Sequence, residues 1–146
     1  MARIEEKVEI AAPVEKVFDY VANVEENHPK FFHFAQRVET TSELKRGDGA
    51  TFRYEVKSAG IKRWFENRVT RFVENQLMEW ESVGGMKNSG KWSFGRTEKG
   101  TEVGFVMDYE LPGSYLGKAI DKLFVEREDR KDIGEALKRL KANLEG

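Results

Sequence analysis

The sequence contains no cysteine, and this absence excludes several kinds of protein. Without cysteine there is no disulfide framework, no thiolate nucleophile and no cysteine-ligated metal. No apolar run reaches the roughly eighteen residues that a membrane-spanning helix needs. A net charge of −1 gives no electrostatic basis for binding nucleic acid. We therefore expect neither nucleic-acid binding nor stable membrane insertion.

Histidine is also scarce, with two residues in the chain. Two histidines and scattered carboxylates do not have the spacing of a metal site. No phosphate-binding glycine loop, nucleotide fingerprint or Ser-His-Asp order is present, so we expect no metal and no cofactor. The segment "MARIEEKVEI" lacks the apolar stretch of a signal peptide, which predicts a cytoplasmic protein.

Large aromatic side chains are what the chain has in quantity. Its 146 residues include ten Phe, three Trp and four Tyr, and 39% of all residues are hydrophobic. This length suits one ordinary domain with a real core, so we expect residues 1–146 to form a single domain.

The first part of the chain predicts a strand followed by two short helices. Apolar residues alternate over residues 3–10, as in a half-buried strand. After Pro13, apolar side chains recur at helical spacing over residues 14–22. Asn23 is a suitable cap for a second short helix, and Pro29 should end that helix.

The rest of the chain predicts strands and then one long helix. Strand patterns separated by short turns cover residues 37–44, 51–56, 61–72, 77–82, 90–97 and 101–111. Consecutive strands with short turns indicate an antiparallel meander. Ser114 can cap a final helix that ends near Leu144. Its apolar stripe changes direction midway, from Leu116, Ile120, Leu123 and Phe124 to Ile133, Leu137, Leu140 and Leu144.

The expected architecture is α+β, a curved seven-stranded antiparallel sheet with helices on one side. A long helix across such a sheet need not contact it everywhere, and bulky rings can hold a cavity open between them. A dense aromatic core without a cavity fits the same sequence. If a cavity exists, its expected lining is Phe31, Phe32, Tyr54, Trp64, Trp80, Trp92, Phe105, Met107, Tyr109, Leu116, Ile120, Leu123, Phe124 and Arg127.

Polar residues on the predicted strand 61–72 have two interpretations. Glu66 and Arg68 share a face with Trp64, and on a cavity wall they would be polar anchors for a ligand. Both faces of this strand are mixed, so the same residues also fit a solvated outer face.

Two further polar residues, His28 and Arg127, are candidates for chemistry. His28 could face a cavity mouth as an acid or base, although the favoured interpretation is a histidine on a surface loop or packed beside Pro29. Arg127 lies on the first apolar line of the last helix and, if it points inward, could pair with Glu66, Asp108 or a ligand carboxylate. A solvated charged segment is the alternative.

The order of these elements resembles a known family. The segments "VEIAAPVEKVFDYVANVEENHPKF", "NRVTRF", "YELPGSYLGKAIDKLF" and "ALKRLKANLEG" are similar to the START-like (SRPBCC) superfamily, in particular its polyketide cyclase/dehydrase and lipid-transport branch. The resemblance covers essentially the whole chain. It implies the helix-grip fold, in which a seven-stranded sheet wraps around a C-terminal helix and encloses a hydrophobic cavity.

The resemblance implies that a hydrophobic small molecule, such as a lipid, a quinone or a polyketide-like compound, is the partner. A carrier or sensor, acting as a monomer or weak dimer, is the first hypothesis. The alternative is a cyclase, aromatase or dehydratase that uses Glu66, Asp108 or a histidine as base, with Arg68 or Tyr109 polarising a carbonyl. A module that binds another protein through its sheet or last helix is a third possibility.

Overall fold

The computed structural model describes residues 1–113 and 121–146. Its strands are β1 (Ala2–Ile10), β2 (Ala35–Thr40), β3 (Thr51–Ser58), β4 (Ile61–Val73), β5 (Leu77–Gly85), β6 (Asn88–Arg96) and β7 (Thr101–Tyr109). The helices in these residues are α1 (Val14–Ala22), α2 (Val24–Phe31) and α3 (Lys122–Glu145).

All strands pair antiparallel in one sheet with the order β1-β7-β6-β5-β4-β3-β2. β1 pairs with β7 along its whole length, from Ala2 opposite Tyr109 to Ile10 opposite Thr101. Helices α1 and α2 therefore carry the chain from one edge of the sheet to the other. Together with α3 they cover one face of the curved sheet, which is the expected helix-grip fold.

Helix α1 forms because its apolar residues fall on one face. Its buried residues are Val14, Val17, Phe18, Val21 and Ala22. The ring of Phe18 packs edge-on against Phe72 of β4 and Phe94 of β6, at centroid distances of 5.2 and 5.0 Å. These contacts fix α1 on the sheet.

The prediction that Pro29 ends the second helix is wrong. Helix α2 continues to Phe31, and the Phe32 backbone N–H donates to the His28 carbonyl at 2.8 Å. The proline removes one backbone hydrogen bond, but the helix side facing the core, with Val24 and His28 buried, keeps the segment helical. Asn23 does occupy the N-cap position, yet its side chain makes no capping hydrogen bond.

Helix α3 buries the second of the two predicted stripes, whereas Leu123 and Phe124 of the first stripe are exposed. The carboxylate of Asp121 caps it by accepting from the backbone N–H groups of Leu123 and Phe124. Its buried residues are Val125, Asp129, Ile133, Ala136, Leu137, Leu140 and Leu144. The predicted cap at Ser114 and the apolar positions Leu116 and Ile120 lie outside the described residues. Across the described ranges, no helix is both long and apolar enough to cross a bilayer.

Candidate ligand-binding cavity

A cavity lies between the curved sheet and the helices α2 and α3. The volume within it that is open to the centre of a water molecule is about 90 Å³. Its walls are mostly apolar, and they comprise Ile4, Val24, His28, Phe32, Phe34, Ala35, Phe52, Tyr54, Val56, Ser58, Arg63, Phe65, Asn67, Val69, Met78, Trp80, Met86, Asn88, Trp92, Phe105, Met107, Asp129, Asp132 and Ile133. Each of the strands β1 to β7 contributes to this lining.

Six of the residues expected in the lining are found there: Phe32, Tyr54, Trp80, Trp92, Phe105 and Met107. Their rings brace one another. Trp92 and Phe105 meet edge-on at 4.7 Å, and Trp80 lies 5.6 Å from Phe105. Rings held from several sides cannot move together to fill the space. Whether these residues contact a ligand stays a prediction.

Two of the expected residues, Phe31 and Tyr109, are buried behind the lining residues and do not contact the cavity. Phe31 is fully buried and packs on the ring of Phe32 at 4.5 Å, so it supports the lining from outside the cavity. Tyr109 is also fully buried, and its hydroxyl donates to Oδ2 of Asp129 at 2.6 Å.

Four residues expected in the lining point away from the cavity. Leu123 and Phe124 are 68% and 47% exposed, and Arg127 is also exposed, because the buried stripe of α3 begins only at Val125. Trp64 lies on the outer face of the sheet, where the guanidinium of Arg53 covers its ring at 4.2 Å.

Three candidate catalytic residues also lie outside the cavity. Glu66 and Arg68 share the outer face of β4 with Trp64, and the hydroxyl of Thr41 donates to Glu66 at 2.6 Å. On β7, Asp108 accepts two hydrogen bonds from Arg3, at 2.9 and 3.0 Å. This interaction lowers the pKa of Asp108. For Glu66 and Arg68, this position is the solvated outer face that the sequence analysis gave as the alternative.

The inner face of β4 carries an ion pair that the sequence analysis missed. Nη1 and Nη2 of Arg63 donate to Oδ2 and Oδ1 of Asp129 on α3, both at 2.9 Å. Both side chains are almost completely buried. Nε of Arg63 has no hydrogen-bond partner in the described part of the chain.

Further polar groups surround this pair. The Ser58 hydroxyl lies 2.8 Å from Asp129 and 2.6 Å from Asp132. Since a hydroxyl has one proton, it can donate to only one of these carboxylates at a time. The ring of His33 lies 3.4 Å from the other oxygen of Asp132. Burial and donation to Asp129 raise the pKa of Tyr109.

His28 lines the cavity with both ring nitrogens engaged. Its Nε2 lies 2.8 Å from the Val21 carbonyl, which can only accept, so Nε2 carries the proton. Burial lowers the pKa of His28 to about 4, which keeps the ring neutral at pH 7. Nδ1 then accepts from the Tyr54 hydroxyl at 2.8 Å. A histidine with its lone pair occupied is poorly placed to act as a base.

Some of the missed polar residues have a signal in the sequence. Asp129 lies four residues after Val125 and four before Ile133, so it belongs to the apolar stripe of α3. Asn67 alternates with Phe65 and Val69 on β4. A polar residue inside an apolar period indicates a buried partner or a ligand. Within residues 1–113 and 121–146, no group of three His, Asp or Glu side chains is placed to bind a metal.

The fold and cavity define a ligand-binding domain of the helix-grip class. The sequence profile described as "Polyketide cyclase / dehydrase and lipid transport" matches residues 1–145. The chain therefore belongs to this family, as the resemblance predicted. No curated protein matches the chain significantly.

Solved structures show the same fold at low sequence identity. The protein TTHA0849 from Thermus thermophilus is 19% identical, with a TM-score of 0.81 over 97% of this chain and 96% of its own. A START superfamily protein from Mycobacterium smegmatis is 16% identical, with a TM-score of 0.79 over 99% and 98%. The Zhui aromatase/cyclase from Streptomyces sp. R1128 is 20% identical, with a TM-score of 0.76 over 98% and 93%.

Proposed function

We propose that this protein binds one hydrophobic small molecule inside the cavity and acts as a carrier or sensor. The supporting observation is the cavity itself, an apolar space whose aromatic walls hold each other apart. Burial is the driving force for binding. An apolar ligand gains roughly 25 cal/mol for each square ångström it removes from water, before the costs of association.

The location of the polar residues favours binding over catalysis. Glu66, Arg68 and Asp108 lie on the outer face of the sheet, and both nitrogens of His28 are engaged. Acid–base chemistry on a bound carbonyl compound is the second candidate function, and it would depend on Asp132. This carboxylate is in the lining and lies within reach of Ser58 and His33.

A pair of bulk-adding variants tests the binding function. Val56 lines the cavity and is 5% exposed, whereas Val83 is 43% exposed. Val56→Phe should reduce the affinity for an uncharged apolar fluorescent dye such as N-phenyl-1-naphthylamine at least tenfold, because the added ring occupies the ligand's space. Val83→Phe, which adds the same ring outside the cavity, should leave the affinity unchanged.

Native mass spectrometry of the purified protein complements the dye titration. We expect a bound apolar compound, or saturable one-to-one binding when a panel of quinones, fatty acids and aromatic ketones is added. An empty protein that binds no member of the panel, or equal effects of the two valine variants, would contradict the proposed function. Conversion of a panel member that stops with Asp132→Asn would favour the enzyme.

A further inference from the structure

Two asparagines in the cavity lining are similarly buried but differ in their hydrogen bonds. Asn88 is 5% exposed; its Oδ1 accepts from Nε1 of Trp80 at 2.8 Å, and its Nδ2 donates to the Met86 carbonyl at 3.0 Å. Asn67 is 8% exposed, and its Oδ1 has no hydrogen-bond partner among the residues that the structure describes.

The neighbours of Asn67 are mostly apolar. Phe65 and Val69 flank it on the inner face of β4, and Phe52 lies opposite it on β3. Ser82 lies opposite it on β5, where the Ser82 hydroxyl oxygen accepts from the Asn88 backbone N–H. An unpaired buried amide costs stability, and a leucine of similar volume would fill the same place without that cost. Packing therefore does not explain the amide, and a polar group of a ligand in the cavity does.

The charges of the lining indicate that this polar group is neutral. Asn67 is uncharged, and the guanidinium of Arg63 already forms a bidentate pair with Asp129. Asp132, also in the lining, would repel a ligand carboxylate. A hydroxyl matches a carboxamide well, because it accepts from the amide N–H and donates to the amide oxygen.

We propose that Asn67 is a specificity-determining residue that pairs with a hydroxyl group on an otherwise apolar ligand. The proposal rests on the proposed function, and it narrows the ligand class from hydrophobic molecules in general to hydrophobic molecules that carry a hydroxyl group. A pure hydrocarbon would leave the amide buried and unpaired, so the site discriminates against it.

The test compares 2-naphthol with naphthalene, which differ by one hydroxyl, in the wild type and in Asn67→Leu. Affinities are measured by fluorescence titration or calorimetry. The ratio of the naphthalene Kd to the 2-naphthol Kd should fall about tenfold in the variant, equivalent to about 1.4 kcal/mol. The naphthalene Kd should stay within about twofold, and the melting temperature of the ligand-free variant should rise.

Asn27 provides the matched control. It is 7% exposed and lies outside the lining, and its amide donates to the Tyr20 carbonyl and accepts from Lys30. Asn27→Leu should lower the melting temperature, because it removes paired groups, and should leave the Kd ratio unchanged. If Asn67→Leu does not fold, Asn67→Ala is measured in the same way.

The outcomes separate the two proposals. If the wild type binds neither probe saturably, the proposed function fails and the role of Asn67 fails with it. If both probes bind and the Kd ratio is the same in Asn67→Leu, the hydroxyl proposal is overturned while the proposed function stands. A lower melting temperature in Asn67→Leu would also overturn it, since the amide would then be paired in the free protein.

Discussion

Arg63 and Asp129 form a bidentate ion pair that joins the inner face of β4 to α3, although the two residues are 66 positions apart in the chain. The pair holds the helix against the sheet at the cavity wall, where the lining is mostly apolar. Tyr109 gives the carboxylate an additional hydrogen bond, and Ser58 gives another when its proton is directed at Asp129 and not at Asp132. A buried pair of this kind tolerates the loss of both charges better than the loss of one.

Asp129→Asn should destabilise the protein by about 3–5 kcal/mol, because it leaves the Arg63 charge buried without compensation. Urea unfolding followed by circular dichroism measures the change. The double variant Arg63→Met/Asp129→Leu should lose much less of the free energy of unfolding than Asp129→Asn does. Asp108→Asn, which breaks the exposed pair with Arg3, is the control and should have a much smaller effect. Equal losses for Asp108→Asn and Asp129→Asn would contradict this account.

His28 should make the protein less stable as the pH falls from about 6.5 to about 4. The folded-state pKa of about 4 lies below the unfolded value of 6.5, so over this range the unfolded chain binds a proton that the native protein does not. The loss amounts to about 3 kcal/mol in total. Urea unfolding at several pH values should show that His28→Gln lacks this component.

The comparison with His28→Gln removes the contributions of the carboxylates. The pKa values of Asp108 and Glu145 are lowered by hydrogen bonds, so their stabilisation is lost as the pH falls below the unfolded value for carboxyl groups. They titrate alike in both proteins. Parallel stability curves for the wild type and His28→Gln between pH 4 and 6.5 would show that the ring is not buried in neutral form.

Asp121→Ala should cost about 1 kcal/mol, because the carboxylate accepts from two backbone N–H groups at the start of α3. Thermal and urea unfolding measure this decrease in the free energy of unfolding. Asp121→Ser, which can still accept at the N-cap, should recover most of it. If Ser and Ala variants are equally destabilised, the cap is not the source of the effect.

Gly90→Ala should disturb the cavity wall. A Cβ at Gly90 would lie 2.2 Å from the Val106 carbonyl oxygen and 2.4 Å from the ring of Trp80. The backbone at Val106 and the Trp80 ring must therefore both move, which changes the fluorescence of Trp80 and weakens ligand binding as well as stability. Gly95→Ala on the same strand has open space at its Cβ and serves as the control. An unchanged emission spectrum in Gly90→Ala would contradict this expectation.

The sequence predicted the fold well because hydrophobic periodicity is a local property. Alternation along strands such as β7, and the helical spacing in α1, gave the right element types in the right order. Pro29 was misjudged because the packing of α2 against the core outweighs the loss of one hydrogen bond. A local pattern contains no information about that packing.

The site was predicted only in part, since burial of a charge depends on a distant partner. By residue type, Arg63 is expected on the surface, but its pairing with Asp129 allows it to be buried. Trp64 is expected in the core, but it lies on the outer face of the sheet with the guanidinium of Arg53 over its ring. Both faces of β4 are mixed, so the sequence could not decide which one lines the cavity. The aromatic lining was easier to predict because Trp92 and Phe105 follow the simple rule that large rings are buried.

The pairing of β1 with β7 has a consequence for biosynthesis. β1 pairs with β7 from Ala2 opposite Tyr109, so β1 has no neighbouring strand in the sheet until β7 has been synthesised. Contacts between residues so far apart form slowly. Until Tyr109 has been synthesised, the nascent chain exposes an unpaired strand edge. The chain is therefore most prone to aggregation, and most dependent on chaperones, during this interval.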